Sequence, residues 1–126
     1  MKTILVVDDD QMMLELYQMK FTHLGYNVAV VSDPAEFMTA VLNNKPALIF
    51  LDRRLGQADG LDLLKVLRKQ EAGKSLPVIM LSNLDPTAEE FAAVKDLGPS
   101  EYLIKEHVDL KDLGAKVKAL IGGANS

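Results

Sequence analysis

Five short apolar runs punctuate this chain: TILVV (3–7), NVAVV (27–31), ALIFL (47–51), PVIML (77–81) and EYLI (101–104). Each is too short for a helix that spans a domain, and most are rich in β-branched residues. Several are apolar at every position rather than at alternate ones. That is the pattern of a parallel strand buried on both faces. Between the runs, apolar residues recur at helical spacing. Met13, Leu16, Tyr17, Phe21 and Leu24 line the first helix, and Gly25 follows as its stop. Asp33-Pro34 opens the second helix, with Asp as cap and Pro in the first turn. Leu61, Leu64 and Leu67 line the third. Asp85-Pro86 is expected to open the fourth, with Glu89 and Glu90 near its positive end, and Leu110, Leu113, Val117 and Leu120 line the fifth. Strict alternation of strand and helix dictates right-handed βαβ units: an α/β, three-layer sandwich with a five-stranded parallel sheet between two layers of helices.

One domain accounts for the 126 residues. It is expected to occupy residues 1–121, with GGANS (122–126) as a flexible tail. The net charge of −4 disfavours non-specific binding to nucleic acid or an anionic membrane, both of which reward positive charge. The absence of cysteine removes disulfides, thiolate zinc sites and thiol nucleophiles, and fits a reducing compartment. No apolar run approaches the roughly 18 residues of a membrane span, and residues 1–7 are too short for a signal-peptide core before three acids interrupt them. The expectation is a cytoplasmic protein.

In folds of this class ligands gather beyond the carboxyl ends of the strands. Strand one ends in Asp8, Asp9 and Asp10; strand two in Ser32 and Asp33; strand three in Asp52; strand four in Ser82 and Asn83; strand five in Lys105. With the strands ordered 2-1-3-4-5, these ends share one pocket of carboxylates, a hydroxyl and an ammonium. Clustered carboxylates raise one another's pKa unless a cation neutralises them. An all-oxygen set without His or Cys suits magnesium, which favours one or two carboxylates and a phosphate. Ser82 can donate to a phosphoryl oxygen and Lys105 can balance its charge. A carboxylate that stays ionised could attack phosphorus to give an acyl phosphate. Most of the catalysis would then be positioning and charge neutralisation.

Over nearly its whole length the chain resembles the receiver domains of two-component response regulators. The stretches that carry the resemblance are ILVVDDD, ALIFLDRRLGQADGLDLLKVLR, LPVIMLSN and EYLIK. The resemblance implies a flavodoxin-like sandwich and magnesium-dependent transfer of a phosphoryl group from a phosphohistidine. The donor would be a sensor histidine kinase or phosphotransfer protein. It makes Asp52 the phosphoacceptor. Asp8 and Asp9 become the acidic pair that organises Mg2+, with Asp9 the direct ligand and Asp8 acting through water. The backbone carbonyl of Arg54 becomes a further ligand. Ser82, Asn83 and Lys105 match phosphoryl-contacting positions, and Ser82 with Tyr102 match the switch that reshapes the face of helix four, strand five and helix five. Asp10 is read separately, as the cap of helix one.

Departures from the family pattern are also present. Gly56 follows Leu55 where the family usually has proline. Glu106 follows Lys105 in place of another proline, so that bond is expected to be trans, because a cis bond before a non-proline costs about 3 kcal/mol. Asn83 is larger and more polar than the small residue the family prefers after the hydroxyl position, while Arg54 and Leu84 stand where bulk or charge excludes the attacking water, which implies slow self-dephosphorylation rather than enzymatic turnover. The departures motivate one alternative, a receiver-fold binding module that signals by protein contact without phosphorylation. An aspartate-nucleophile hydrolase is disfavoured because Arg54 stands where such enzymes carry a second acid. No Gly-rich phosphate loop follows strand one. Met12 and Met19 are expected on the outer side of helix one. The downstream recipient is either a protein target or an output domain outside this sequence.

Overall fold

The computed structural model describes residues 1–125; Ser126, the end of the expected tail, lies outside them. Five strands form one parallel sheet: β1 (Thr3–Val7), β2 (Asn27–Val31), β3 (Leu48–Asp52), β4 (Val78–Ser82) and β5 (Ser100–Ile104). Their order is 2-1-3-4-5, as the alternation of elements suggested. The helices are α1 (Gln11–His23), α2 (Phe37–Asn44), α3 (Gly60–Lys69), α4 (Ala88–Asp96) and α5 (Leu110–Ile121). A short antiparallel ribbon, Arg54–Leu55 with Ala58–Asp59, lies between β3 and α3.

The period-two geometry of the strands divides the core. Ile4 and Val6 of β1 point to one face, where Leu14, Tyr17 and Phe21 of α1 and Leu113 and Val117 of α5 cover them. Leu5 and Val7 point to the other, under Phe37 and Val41 of α2, Leu64 and Leu67 of α3 and Val94 of α4. Phe21 stacks on Phe50 at a ring separation of 5.2 Å, and Tyr17 meets Phe50 edge-on at 5.3 Å. Each such fully buried apolar side chain contributes about 1.5–3 kcal/mol. The central strands β1, β3 and β4 are therefore held more tightly than the edges β2 and β5.

Two local expectations need correction. The stripe of α1 centres on Leu14, Tyr17 and Phe21, while Leu24 is half exposed. The cause is that α1 ends at His23, so Leu24 sits at the cap and outside the helical stripe. α4 starts at Ala88 rather than at Asp85-Pro86. Thr87 caps it, in a reciprocal capping box with Glu90. The described part of the expected tail makes contacts with the rest of the chain. Ala124 is buried among the α1 and α5 side chains, its carbonyl accepts from the Lys2 amide at 2.8 Å, and the Gly122 carbonyl accepts from the Tyr26 hydroxyl at 2.7 Å. Met12 and Met19 are exposed.

Candidate functional site

Parallel register brings the strand ends level. Val7 pairs with Leu51, Asp52 with Leu81, and Ser82 with Ile104. Asp8, Asp52, Ser82 and Lys105 thus emerge at the same edge of the sheet, on its two central junctions and the adjoining one. Asp8, Asp52 and Ser82 are the buried polar side chains of the described chain, at 2, 4 and 5 % exposed. Burying two carboxylates side by side is costly unless they are paired, so their presence marks a site rather than a packing accident.

Lys105 supplies the pairing. Its Nζ lies 2.9 Å from Asp8 Oδ2 and 3.2 Å from Asp52 Oδ2, and its side chain is nearly buried. With Glu106 next to it in sequence, Lys105 still reaches both carboxylates. Among the described residues the cis peptide bond is Gly98–Pro99, so the Lys105–Glu106 bond is trans, as expected. Even with Lys105 in place the Asp52 carboxyl is pushed up from 3.8 to about 7. Burial is the main cause, followed by the Asp8 charge, while Lys105 and the Arg54 N–H pull the other way. Burial alone would lower the Lys105 ammonium, but the Asp8 hydrogen bond and the Asp52 and Asp8 charges outweigh it and hold the ammonium above its ordinary value. Tyr17, beneath the site, is raised to about 12 by burial and by the same two carboxylates.

Asp8, Asp9 and Asp52 each present a carboxylate oxygen within 4.8 Å of the others. Asp9 is exposed at the mouth and its Oδ2 accepts from the Gly56 N–H at 2.8 Å. Gly56 has a φ of +64° in the turn of the Arg54–Asp59 ribbon, where glycine is unstrained. The residue that departs from the family pattern therefore turns the chain and hands its amide to Asp9. Asp10 stands apart. It caps α1, with its Oδ1 accepting from the Met12 and Met13 amides at 3.0 and 3.4 Å. An all-oxygen set of three carboxylates, two of them buried and one raised in pKa, fits a hard divalent cation such as magnesium.

An open cleft of about 500 Å³ lies over Asp52, lined by Asp9, Arg54, Asn83, Lys105 and Glu106 among others. Ser82 sits just inside, its Oγ accepting from the Leu84 N–H at 3.2 Å, and Leu84 itself is exposed. Gly60 is confined from below: a Cβ there would collide with the Asp52 carbonyl, so the start of α3 can approach β3 only as glycine.

Tyr102 is buried in the α2–α3–α4 core, with its hydroxyl 3.4 Å from Arg53 Nη1. Arg53 is a residue that the sequence reading passed over. Its guanidinium also grips both oxygens of Asp59 (2.6 and 3.1 Å) and Glu90 Oε2 (2.6 Å). The Asp59 hydrogen bond does most to raise the Arg53 pKa above its ordinary value. Its partners lie up to 49 residues away, so no local pattern announces it. The only sequence sign is an arginine directly after the acid that ends a buried strand.

A model of the response regulator receiver domain matches residues 4–118. The chain belongs to that family. Among curated relatives, the alkaline phosphatase synthesis transcriptional regulatory protein PhoP of Bacillus subtilis is 36 % identical over 122 residues, covering 95 % of this chain and 48 % of that protein. The response regulator MprA of a Mycobacterium species is 34 % identical over 118 residues, covering 94 % of this chain and 50 % of MprA. This receiver thus spans about half the length of the curated relatives it matches. A crystal structure of a two-component response regulator from Clostridium difficile superposes with a TM-score of 0.86 at 26 % identity, over the full length of both chains. Among the described residues no helix is long and apolar enough to cross a membrane.

Proposed function

We propose that this receiver is a phosphoacceptor signalling protein in which Asp52 accepts a phosphoryl group from a phosphohistidine. The observation that carries the reading is the buried Asp8–Lys105–Asp52 arrangement, with its two carboxylates and one ammonium at the strand ends. In the reaction an Asp52 carboxylate oxygen attacks phosphorus in line. The O–P bond forms as the P–N bond of phosphohistidine breaks, and the imidazole nitrogen leaves with the electron pair. Lys105 is already in contact with an Asp52 oxygen and balances charge on the transferring group. Asp8, Asp9, Asp52 and the Arg54 carbonyl would hold magnesium, which supplies charge neutralisation and a template for the phosphoryl oxygens. Asn83 lines the mouth and contacts the incoming group. Ser82 then exchanges its Leu84 contact for a phosphoryl oxygen, and the α4–β5–α5 face, with Tyr102 in it, shifts its population.

The protein is in this reading the substrate of a phosphotransfer rather than an enzyme. It acts in the cytoplasm between a sensor histidine kinase or phosphotransfer protein and a downstream protein or output domain. The test is intact mass after incubation with acetyl phosphate and magnesium. A gain of one phosphoryl group that Asp52→Asn abolishes supports the reading. A protein that gains nothing from acetyl phosphate or from any histidine kinase favours a module that signals by contact alone.

A further inference from the structure

Arg53 follows Asp52 directly, and its backbone is fixed on both sides. Its N–H donates to the Leu81 carbonyl at 2.7 Å, and its carbonyl accepts from the Gly60 N–H at 2.8 Å. Its side chain is 11 % exposed and is divided among three elements. Nε and Nη2 form a fork onto Asp59, the cap of α3. Nη1 reaches Glu90 in the first turn of α4 and faces the Tyr102 hydroxyl on β5. A bidentate pair fixes the guanidinium plane, so Asp59 acts as the anchor and Nη1 as the pointer. Glu90 is held twice, because its Oε1 also accepts from the Thr87 N–H at 2.9 Å. The start of α4 is therefore tied to the residue beside Asp52 as well as to its own capping box. A second connection runs through the chain, from Ser82 along the loop of residues 83–86 to Thr87.

We propose that Arg53 is a positioning residue: a clamp anchored on the α3 cap that sets where the first turn of α4 and Tyr102 sit, and that carries phosphorylation at Asp52 to that face. The proposal rests on the phosphoreceiver reading and names the route by which that site is heard. Asp52 and Arg53 are joined by one peptide bond, so a shift of the Asp52 backbone bears directly on the hydrogen bonds that hold the Arg53 backbone to Leu81 and Gly60. Because the guanidinium is one rigid plane, a displacement that turns it on its Asp59 fork also moves Nη1 against Glu90 and Tyr102. An arginine is needed for this geometry, since a lysine ammonium has no planar fork.

The experiment is hydrogen exchange at the Glu90 and Phe91 amides of the full chain, with and without phosphorylation by acetyl phosphate and magnesium, alongside the intact mass. In the wild type, phosphorylation changes their exchange at least about fivefold, the lower end of coupling between sites. Arg53→Met takes the phosphoryl group to the same stoichiometry, but phosphorylation then alters those amides less than about twofold. Glu90→Gln cuts the response in the same way, and the double variant loses no more than the worse single one, as for two ends of one link. A merely structural role would change exchange equally in both phosphorylation states and leave the ratio intact. If Arg53→Met keeps the wild-type ratio, the clamp is refuted while the phosphoreceiver reading stands. Should Arg53→Met fail to fold, a wild-type ratio in Glu90→Gln refutes it instead. If the wild type gains no phosphoryl group, the reading falls and the clamp with it.

Discussion

Replacing Asp52 by Asn removes the charge that the fold holds at greatest cost while keeping the shape of the side chain. The folded-state pKa of Asp52 is raised from 3.8 to about 7, chiefly by burial. A raised carboxyl means that the native state binds the proton more tightly than the unfolded chain does. Its ionisation therefore costs nothing below about pH 3.8, an increasing amount between 3.8 and 7, and a constant amount above 7. The full rise corresponds to at most about 4 kcal/mol, and roughly half survives relaxation and partial hydration of the cleft. Asp52→Asn is thus expected to be more stable than wild type by about 2 kcal/mol at pH 8, and equal to it near pH 3.5. The attraction to Lys105 does not reverse the sign, because it is already included in the raised value and Asp8 remains to pair the ammonium. The assay is urea unfolding at several pH values with a chelator present, since a bound divalent cation would compensate the charge. An Asn variant less stable than wild type at pH 8, or an advantage that does not change with pH, would refute the reasoning.

Other expectations follow from single contacts. Asp9→Asn should nearly abolish the stabilisation that magnesium gives against thermal unfolding, while Asp10→Asn, which alters only the α1 cap, should leave it almost unchanged; equal losses would contradict this division. Arg68→Met should cost about 2–4 kcal/mol in urea unfolding, because its guanidinium serves the carbonyls of Leu97, Gly73, Leu76 and Pro99 together, and a cost under about 0.5 kcal/mol would dismiss that role. The acyl phosphate should persist for minutes rather than seconds, with Arg54 and Asn83 lining the cleft and Leu84 beside it; loss of the phosphoryl group within seconds, followed by intact mass after donor removal, would exclude this shielding.

The strands and their order were legible because burial on both faces leaves an unbroken apolar run, as in LIFL before Asp52. Once the order 2-1-3-4-5 is set, the register delivers Asp8, Asp52, Ser82 and Lys105 to one edge, so the content of the pocket could be read from the last residue of each strand. The distinction of Asp10 from Asp8 and Asp9 was legible for the same reason: it stands one residue before a helix and meets its free amides. The start of α4 was misplaced although Thr87 and Glu90 carry a capping-box spacing, because Asp85-Pro86 offers a competing start signal two residues earlier. The tail's contacts with Lys2 and Tyr26 had no local signal, since Gly and Ala near a terminus carry no pattern that names their partners. Arg53 and Arg68 were hidden for a deeper reason. Each bridges near partners to far ones, Asp59 to Glu90 and Tyr102 for Arg53 and Gly73 and Leu76 to Leu97 and Pro99 for Arg68, and a long side chain meets the far groups only after the tertiary structure has gathered them.

The most direct measurement is to locate the phosphoryl group chemically. The chain is phosphorylated with acetyl phosphate and magnesium, reduced with borohydride, which converts an aspartyl phosphate to homoserine, and mapped by peptide mass spectrometry. The account predicts homoserine at position 52 and at no other aspartate. Homoserine at position 8 or 9, or a phosphorylated chain with Asp52 intact, would contradict it.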